Sequence, residues 1–156
     1  MTLDDFLKEH IDKKLIKPEK TGIDRIEKLI KCAAKDLKIA EKLLSMDEGH
    51  AYETAYTAML HAARAFVFIK GFRPTTNFQH KTVVAFTSHF LGDKYKIIVK
   101  KFDHMRKNRN KFIYEPWESH ISKTDAKNAL ISAAEFLEII KKEIKAENPQ
   151  ASLRSE

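Results

Sequence analysis

The sequence predicts an all-α protein, an up-and-down bundle of four to five main helices. Three observations carry this. Gly and Pro number only four each in 156 residues, too few for the turns of an all-β chain. Lys, Ala, Ile, Leu, Phe and Glu dominate, and most of these are at home in helices. Above all, apolar residues return every three or four positions over long stretches, and no run shows the alternation of a strand. The length suits one core, because two domains would each be marginal.

Leu3, Phe6, Leu7 and Ile11 predict an amphipathic N-terminal helix within residues 1–17, loosely docked and closed by Lys17-Pro18. The main helical domain is expected over 18–145. Thr21-Gly-Ile-Asp24 matches a capping box, and Ile23, Ile26, Leu29, Ile30, Ala33, Leu37, Ala40, Leu43 and Leu44 continue as a long helix. After Met46-Asp-Glu-Gly49 comes a helix from about His50 to Lys70. It carries one stripe of Tyr52, Tyr56, Met59, Ala63 and Phe66 and another of Ala51, Ala55, Ala58, Ala62 and Ala65. Small side chains at that spacing let a neighbour approach closely, so this helix should be central.

Gly71 is a natural stop, and Phe72 to Asn77 should be a loop. Val83, Val84, Phe86, Phe90 and Leu91 predict a short helix from about Phe78 to Gly92. Tyr95, Ile98, Phe102, Met105 and Phe112 predict another from about Asp93 to Tyr114, ended before Pro116. Ser122-Lys-Thr-Asp125 is a second capping box, opening a seam of Ala126, Leu130, Ala133, Leu137, Ile140 and Ile144. Residues 146–156 should form a frayed polar tail.

Charge narrows the function. The net charge is +7, and between Asp93 and Lys111 eight Lys or Arg face two Asp, so that segment alone carries +6. Such a patch favours polyanions. A lone cysteine, Cys32, excludes an internal disulfide, no Cys/His spacing fits zinc, and no cofactor is expected. The acidic start and the lack of any long apolar run predict a cytoplasmic protein with no targeting or membrane segment. No Gly-rich phosphate loop, nucleophile elbow or paired-His motif supports an NTPase, a hydrolase or a metalloenzyme.

On a helical wheel centred on Ile98, Phe102, Met105 and Phe112 fall within about 40°, and Arg109 falls in the same arc. Its guanidinium therefore points at packed surface, where it needs an acid, a phosphate or backbone acceptors. Either Glu53, Asp103 or Glu115 pairs with it, or it binds an anion. Arg106 and Asn110 share the adjacent face and could converge on the same phosphate. On the central helix, Glu53, Thr57, His61 and Arg64 form a polar stripe, either a solvated face or, at His61 and Arg64, the border of an anion site. His10, His50 and His89 read as surface residues and His80 as local structure near a helix start. His104 and His120 flank the Arg-rich segment but lie off its line.

Ala51-Tyr-Glu-Thr-Ala-Tyr-Thr-Ala-Met-Leu-His-Ala-Ala-Arg-Ala65, continuing to Lys70-Gly-Phe-Arg-Pro74, resembles the central helix of HEPN (higher eukaryotes and prokaryotes nucleotide-binding) domains. Arg106-Lys-Asn-Arg-Asn-Lys-Phe-Ile-Tyr114 is similar to that family's later Arg-Asn segment. The resemblance spans roughly residues 22 to 145. It implies a helical bundle, a homodimer with Arg-Asn segments facing a shared cleft, and nucleotide or RNA phosphate as ligand. In many members it implies a metal-independent endoribonuclease, a toxin partnered by a small nucleotidyltransferase antitoxin.

In those enzymes an Arg is followed after four to six residues by a His, which shuttles protons while the Arg stabilises phosphate charge. Here the window holds Tyr114 and no histidine. A phenol of ordinary pKa near 10 is a poor base at neutral pH. The resemblance thus places Arg109 and Tyr114 in the catalytic positions, and Arg106, Arg109, Asn110, His61 and Arg64 around the nucleotide or RNA. The activity stays open between a weakened ribonuclease and a binding module. A different class of reading is a purely structural domain, whose Ala stripe and inward Arg build a dimer or docking face.

Overall fold

Helix α3, Glu48–Ile69, is the axis of the protein, and its two stripes explain why. Tyr52, Tyr56, Met59, Ala63 and Phe66 are buried on one side, and Ala51, Ala55, Ala58, Ala62 and Ala65 on the other. A helix apolar on both sides has to be enclosed. The computed structural model describes residues 1–75 and 79–154. Around α3 stand α2 (Ile23–Leu43), α4 (Gln79–Leu91), α5 (Lys96–Tyr114) and α6 (Lys123–Glu147). Its widest contacts are with α2, which buries Ile26, Ile30 and Ala33, and with α6, which buries Ala133, Phe136 and Ile140.

α5 is fastened to this core by Ile98, Val99, Phe102 and Met105. The Phe102 ring lies 5.7 Å from that of Tyr56 and 5.2 Å from that of Phe136, so one side chain ties α5 to both α3 and α6. The last turn of α5 is seated differently. Gly49 is not in a break before the central helix but inside the first turn of α3, and a Cβ there would lie 2.3 Å from Phe112 Cε1. Glycine makes room for the ring, which also meets His50 edge-on at 5.3 Å.

Several boundaries differ from the expected ones. The N-terminal helix α1 covers Leu3–Asp12 and opens with its own capping box from Thr2 to Asp5. It ends well before Pro18, in a turn closed by Lys14 N–H to Ile11 O and Leu15 N–H to His10 O, with Lys14 at φ 56. That left-handed residue stops the helix. Ile16–Pro18 (β1) then pairs antiparallel with Phe72–Pro74 (β2), Lys17 opposite Arg73. This ribbon was not expected, because three residues are too short to show alternation.

Nor is α1 loosely docked. Phe6 is 1% exposed, sandwiched between His10 at 3.9 Å and His89 at 4.1 Å, so these two histidines, expected at the surface and partly exposed there, also pack against it. The expected Thr21 capping box is absent: Gly22 takes the cap position with no side-chain bond, and Thr21 Oγ1 is buried without a partner. The Ser122 box is present as expected. The expected Asp93 start of α5 is a short 3₁₀ turn, Asp93–Tyr95, before the α-helix proper. The tail is held, since Ala151 and Leu153 are buried and Ser152 N–H donates to Glu27 at 2.5 Å. The expected loop residues Thr76 and Asn77, the helix start at Phe78 and the tail residues Ser155 and Glu156 lie outside the described residues. Among the described residues no helix is long and apolar enough to cross a membrane.

Candidate anion-binding site

The strongly basic segment folds as the outer part of α5, and the helical period sorts its charges onto distinct faces. Toward α4, Lys96, Lys100, Arg106 and Lys107 line a groove of about 490 Å³ together with Lys81, with Asp103 as its one carboxylate. Toward α6, Lys100, Lys101, His104 and Asn108 line a larger groove of about 740 Å³ with Tyr52 and Asp125. There, Asn108 donates to the Tyr52 hydroxyl at 3.1 Å and lies 3.0 Å from His104 Nε2, so its polar groups satisfy one another.

Arg109 continues the buried line of Ile98, Phe102 and Met105, as its wheel position requires. Its guanidinium carbon sits 5.9 Å from the centre of the Tyr56 ring, a cation–π arrangement. One terminal nitrogen donates to Asn110 Oδ1 at 3.3 Å, while Nε is buried with no acceptor. Among the described residues no carboxylate pairs with it. Asp103, one of the three acids that could have done so, bonds Arg106 Nε at 3.0 Å and Lys107 at 3.3 Å instead. Burial works against the Asp103 carboxylate, but those two donors outweigh it and hold it below the usual range. The charge on Arg106 is thus largely met, and the charge on Arg109 is not.

His80, at the start of α4, completes the cluster. Its Nδ1 is 3.0 Å from the Tyr56 hydroxyl. Burial, then the positive charges of Arg109, Arg106 and Arg64, push the imidazole below its ordinary value. Burial raises the Tyr56 phenol despite Arg109 and Arg106, so it keeps its proton. A neutral imidazole can accept from that hydroxyl and leave Nε2–H as a donor. The site therefore offers a guanidinium with a spare buried N–H, a half-neutralised second guanidinium, an amide and an imidazole. Together they suit a phosphate oxygen.

Of the residues singled out from the sequence, Arg106, Arg109 and Asn110 come together here. His61 does not: its Nδ1–H donates to Asp36 on α2 at 2.6 Å and pins α3 to that helix. Arg64 lines a separate cavity. Tyr114, five residues and about 140° beyond Arg109, is 73% exposed and has no polar partner among the described residues. Tyr56 and His80 were missed as functional candidates. A usable signal existed for Tyr56, since a buried phenol has to find a hydrogen-bond partner. Among the described residues no three His, Cys, Asp or Glu side chains are placed to hold a metal.

A family model described as the HEPN domain matches residues 26–144, from within α2 to within α6. No curated protein matches the chain.

Proposed function

The chain belongs to the HEPN domain family, and from that premise we propose that it binds RNA or nucleotide phosphate at the Arg109 cluster. The observation that carries this is the half-buried guanidinium of Arg109, which has a buried, unbonded Nε and, among the described residues, no acid paired with it. Such a charge is costly to keep out of water unless an anion completes it. Arg106, Asn110 and His80 stand around the same place, and the lysines of the α4–α5 groove extend the positive surface along a strand. Filter binding of single-stranded RNA over a salt series tests this. Affinity should fall steeply with salt, by a log–log slope of about 0.7 for each phosphate neutralised. A flat salt profile would favour a purely structural domain.

Cleavage is the less supported half of the proposal. Tyr114 points away from Arg109, and the imidazole on which the Arg109 charge acts comes from α4. RNA incubated with the protein in EDTA should stay intact; cleavage abolished by Tyr114→Phe would instead restore the tyrosine to the reaction. The proposal extends to a cytosolic homodimer, for which exposed Ile97, Tyr114, Trp117 and Ile131 offer apolar surface. A nucleotidyltransferase antitoxin is its proposed partner, to be sought as a co-purifying protein encoded by a neighbouring gene.

His80 makes binding depend on pH. The Tyr56 hydroxyl from α3 bonds to it, and the charges of Arg109 and Arg106 on α5 and of Arg64 on α3 act on it. In the free protein its value lies below the ordinary 6.5, so the unfolded chain takes up protons first. The stability this neutral imidazole contributes is present above 6.5 and is lost as pH falls through the depressed value. An RNA phosphate reverses the sign, because it favours the imidazolium. RNA affinity should therefore rise on acidification while the thermal stability of the free protein falls. His80→Gln should flatten both trends, and an unchanged pH profile would remove His80 from the site.

A further inference from the structure

A second cationic cluster lies away from Arg109. Arg25 and Lys28 on α2, Arg64 and Phe68 on α3, and Arg73 on β2 surround a cavity of about 240 Å³, with Cys32 on its wall. Four positive side chains meet here, and among the described residues the only carboxylate bonded to any of them is Glu19, at 3.4 Å from Arg73. Arg64 is the inner member. Its guanidinium carbon lies 5.8 Å over the Phe68 ring, and its Nε is buried with no acceptor. Burial, then Arg73, then Arg25 push its pKa down, so each neighbour makes its charge more costly.

We propose that this cavity is a phosphate-binding site, taking the phosphate group of a nucleotide or of an RNA strand. Volume favours the group over a whole nucleoside, since pockets for larger ligands run to roughly 300–1,000 Å³. Chemistry favours phosphate over a carboxylate. Three guanidiniums and an ammonium supply more donors than two oxygens can accept, whereas phosphate presents more acceptors and up to two charges. The two sites bond through different side chains, so each can fail without the other, although the charge of Arg64 also reaches His80.

Cys32 reports on the cavity, because it is the only cysteine in the chain and it is exposed. The experiment follows the rate of Cys32 modification by an anionic aromatic disulfide in the full-length protein at constant ionic strength. The competitors are inorganic phosphate, a 5′-mononucleotide or a short single-stranded RNA, each with wild type, Arg109→Ala and Arg25→Gln/Arg73→Gln. The double variant spares half-buried Arg64, and circular dichroism checks its fold.

Saturable protection by phosphate or mononucleotide, unchanged in Arg109→Ala and weakened about tenfold in the double variant, is the expected result for a free phosphate group. Protection by RNA alone, with the same dependence on variants, supports the site with a phosphodiester as ligand. No protection beyond that of chloride overturns the proposal. So does protection by RNA that disappears in Arg109→Ala, or protection that the double variant leaves intact.

Discussion

Arg109→Ala should weaken single-stranded RNA binding at low salt by about tenfold or more and leave the helical content unchanged. The magnitude follows from losing hydrogen bonds made by a charged donor, worth about 1.5–3 kcal/mol net. The fold should survive, because the residue is only half-buried and its contacts are the Tyr56 ring and Asn110. Stability should even rise slightly in the free protein, since an uncompensated charge is removed from a partly dry site. The salt dependence gives a second readout: its slope should fall by roughly 0.7–1 as one phosphate contact disappears. Arg109→Lys should land between the two, because an ammonium keeps the charge but loses the planar fork. Equal affinity and slope in wild type and Arg109→Ala would end the assignment of the site to Arg109.

Phe102→Ala should cost about 3–5 kcal/mol of folding stability. The ring is 0% exposed and touches Tyr56 and Phe136, so the substitution leaves a cavity where α3, α5 and α6 meet. Against a typical total of about 5–15 kcal/mol this is a large share. The loss should appear as a lower urea midpoint with little change in slope. Phe102→Leu should cost much less, because it keeps most of the volume. RNA binding should fall only by the fraction unfolded, which separates this variant from Arg109→Ala. A cost below about 1 kcal/mol would mean that α5 is held mainly elsewhere.

The bundle was legible because each long helix repeats its apolar pattern many times over. α3 announced its central place through Ala51, Ala55, Ala58, Ala62 and Ala65, all of which are buried. The three-residue strands were not legible, as nothing in Ile16-Lys-Pro18 differs from a helix-closing loop. Thr21 misled because Gly22 beside it takes the cap position. At the site, the inward aim of Arg109 could be read from one helix alone. Its surroundings could not, since Tyr56 and His80 arrive from α3 and α4 and only tertiary packing brings them together. The pairing of Asp103 with Arg106 was within reach of the sequence, at a separation of three on one helix. The same holds less well for the second cluster, because Arg73 reaches it through the unforeseen ribbon.

Phe6 and Ile16 leave the ribosome well before the residues that cover them are made. Ile16 faces Pro74 across the ribbon, and Phe6 lies against Phe86 and His89 of α4. Closing so long a loop adds only slowly to the entropy cost, but it cannot begin before α4 exists. The segment holding Phe6 and Ile16 is therefore fixed late during vectorial synthesis, and these two apolar side chains stay available to chaperones until α4 has emerged.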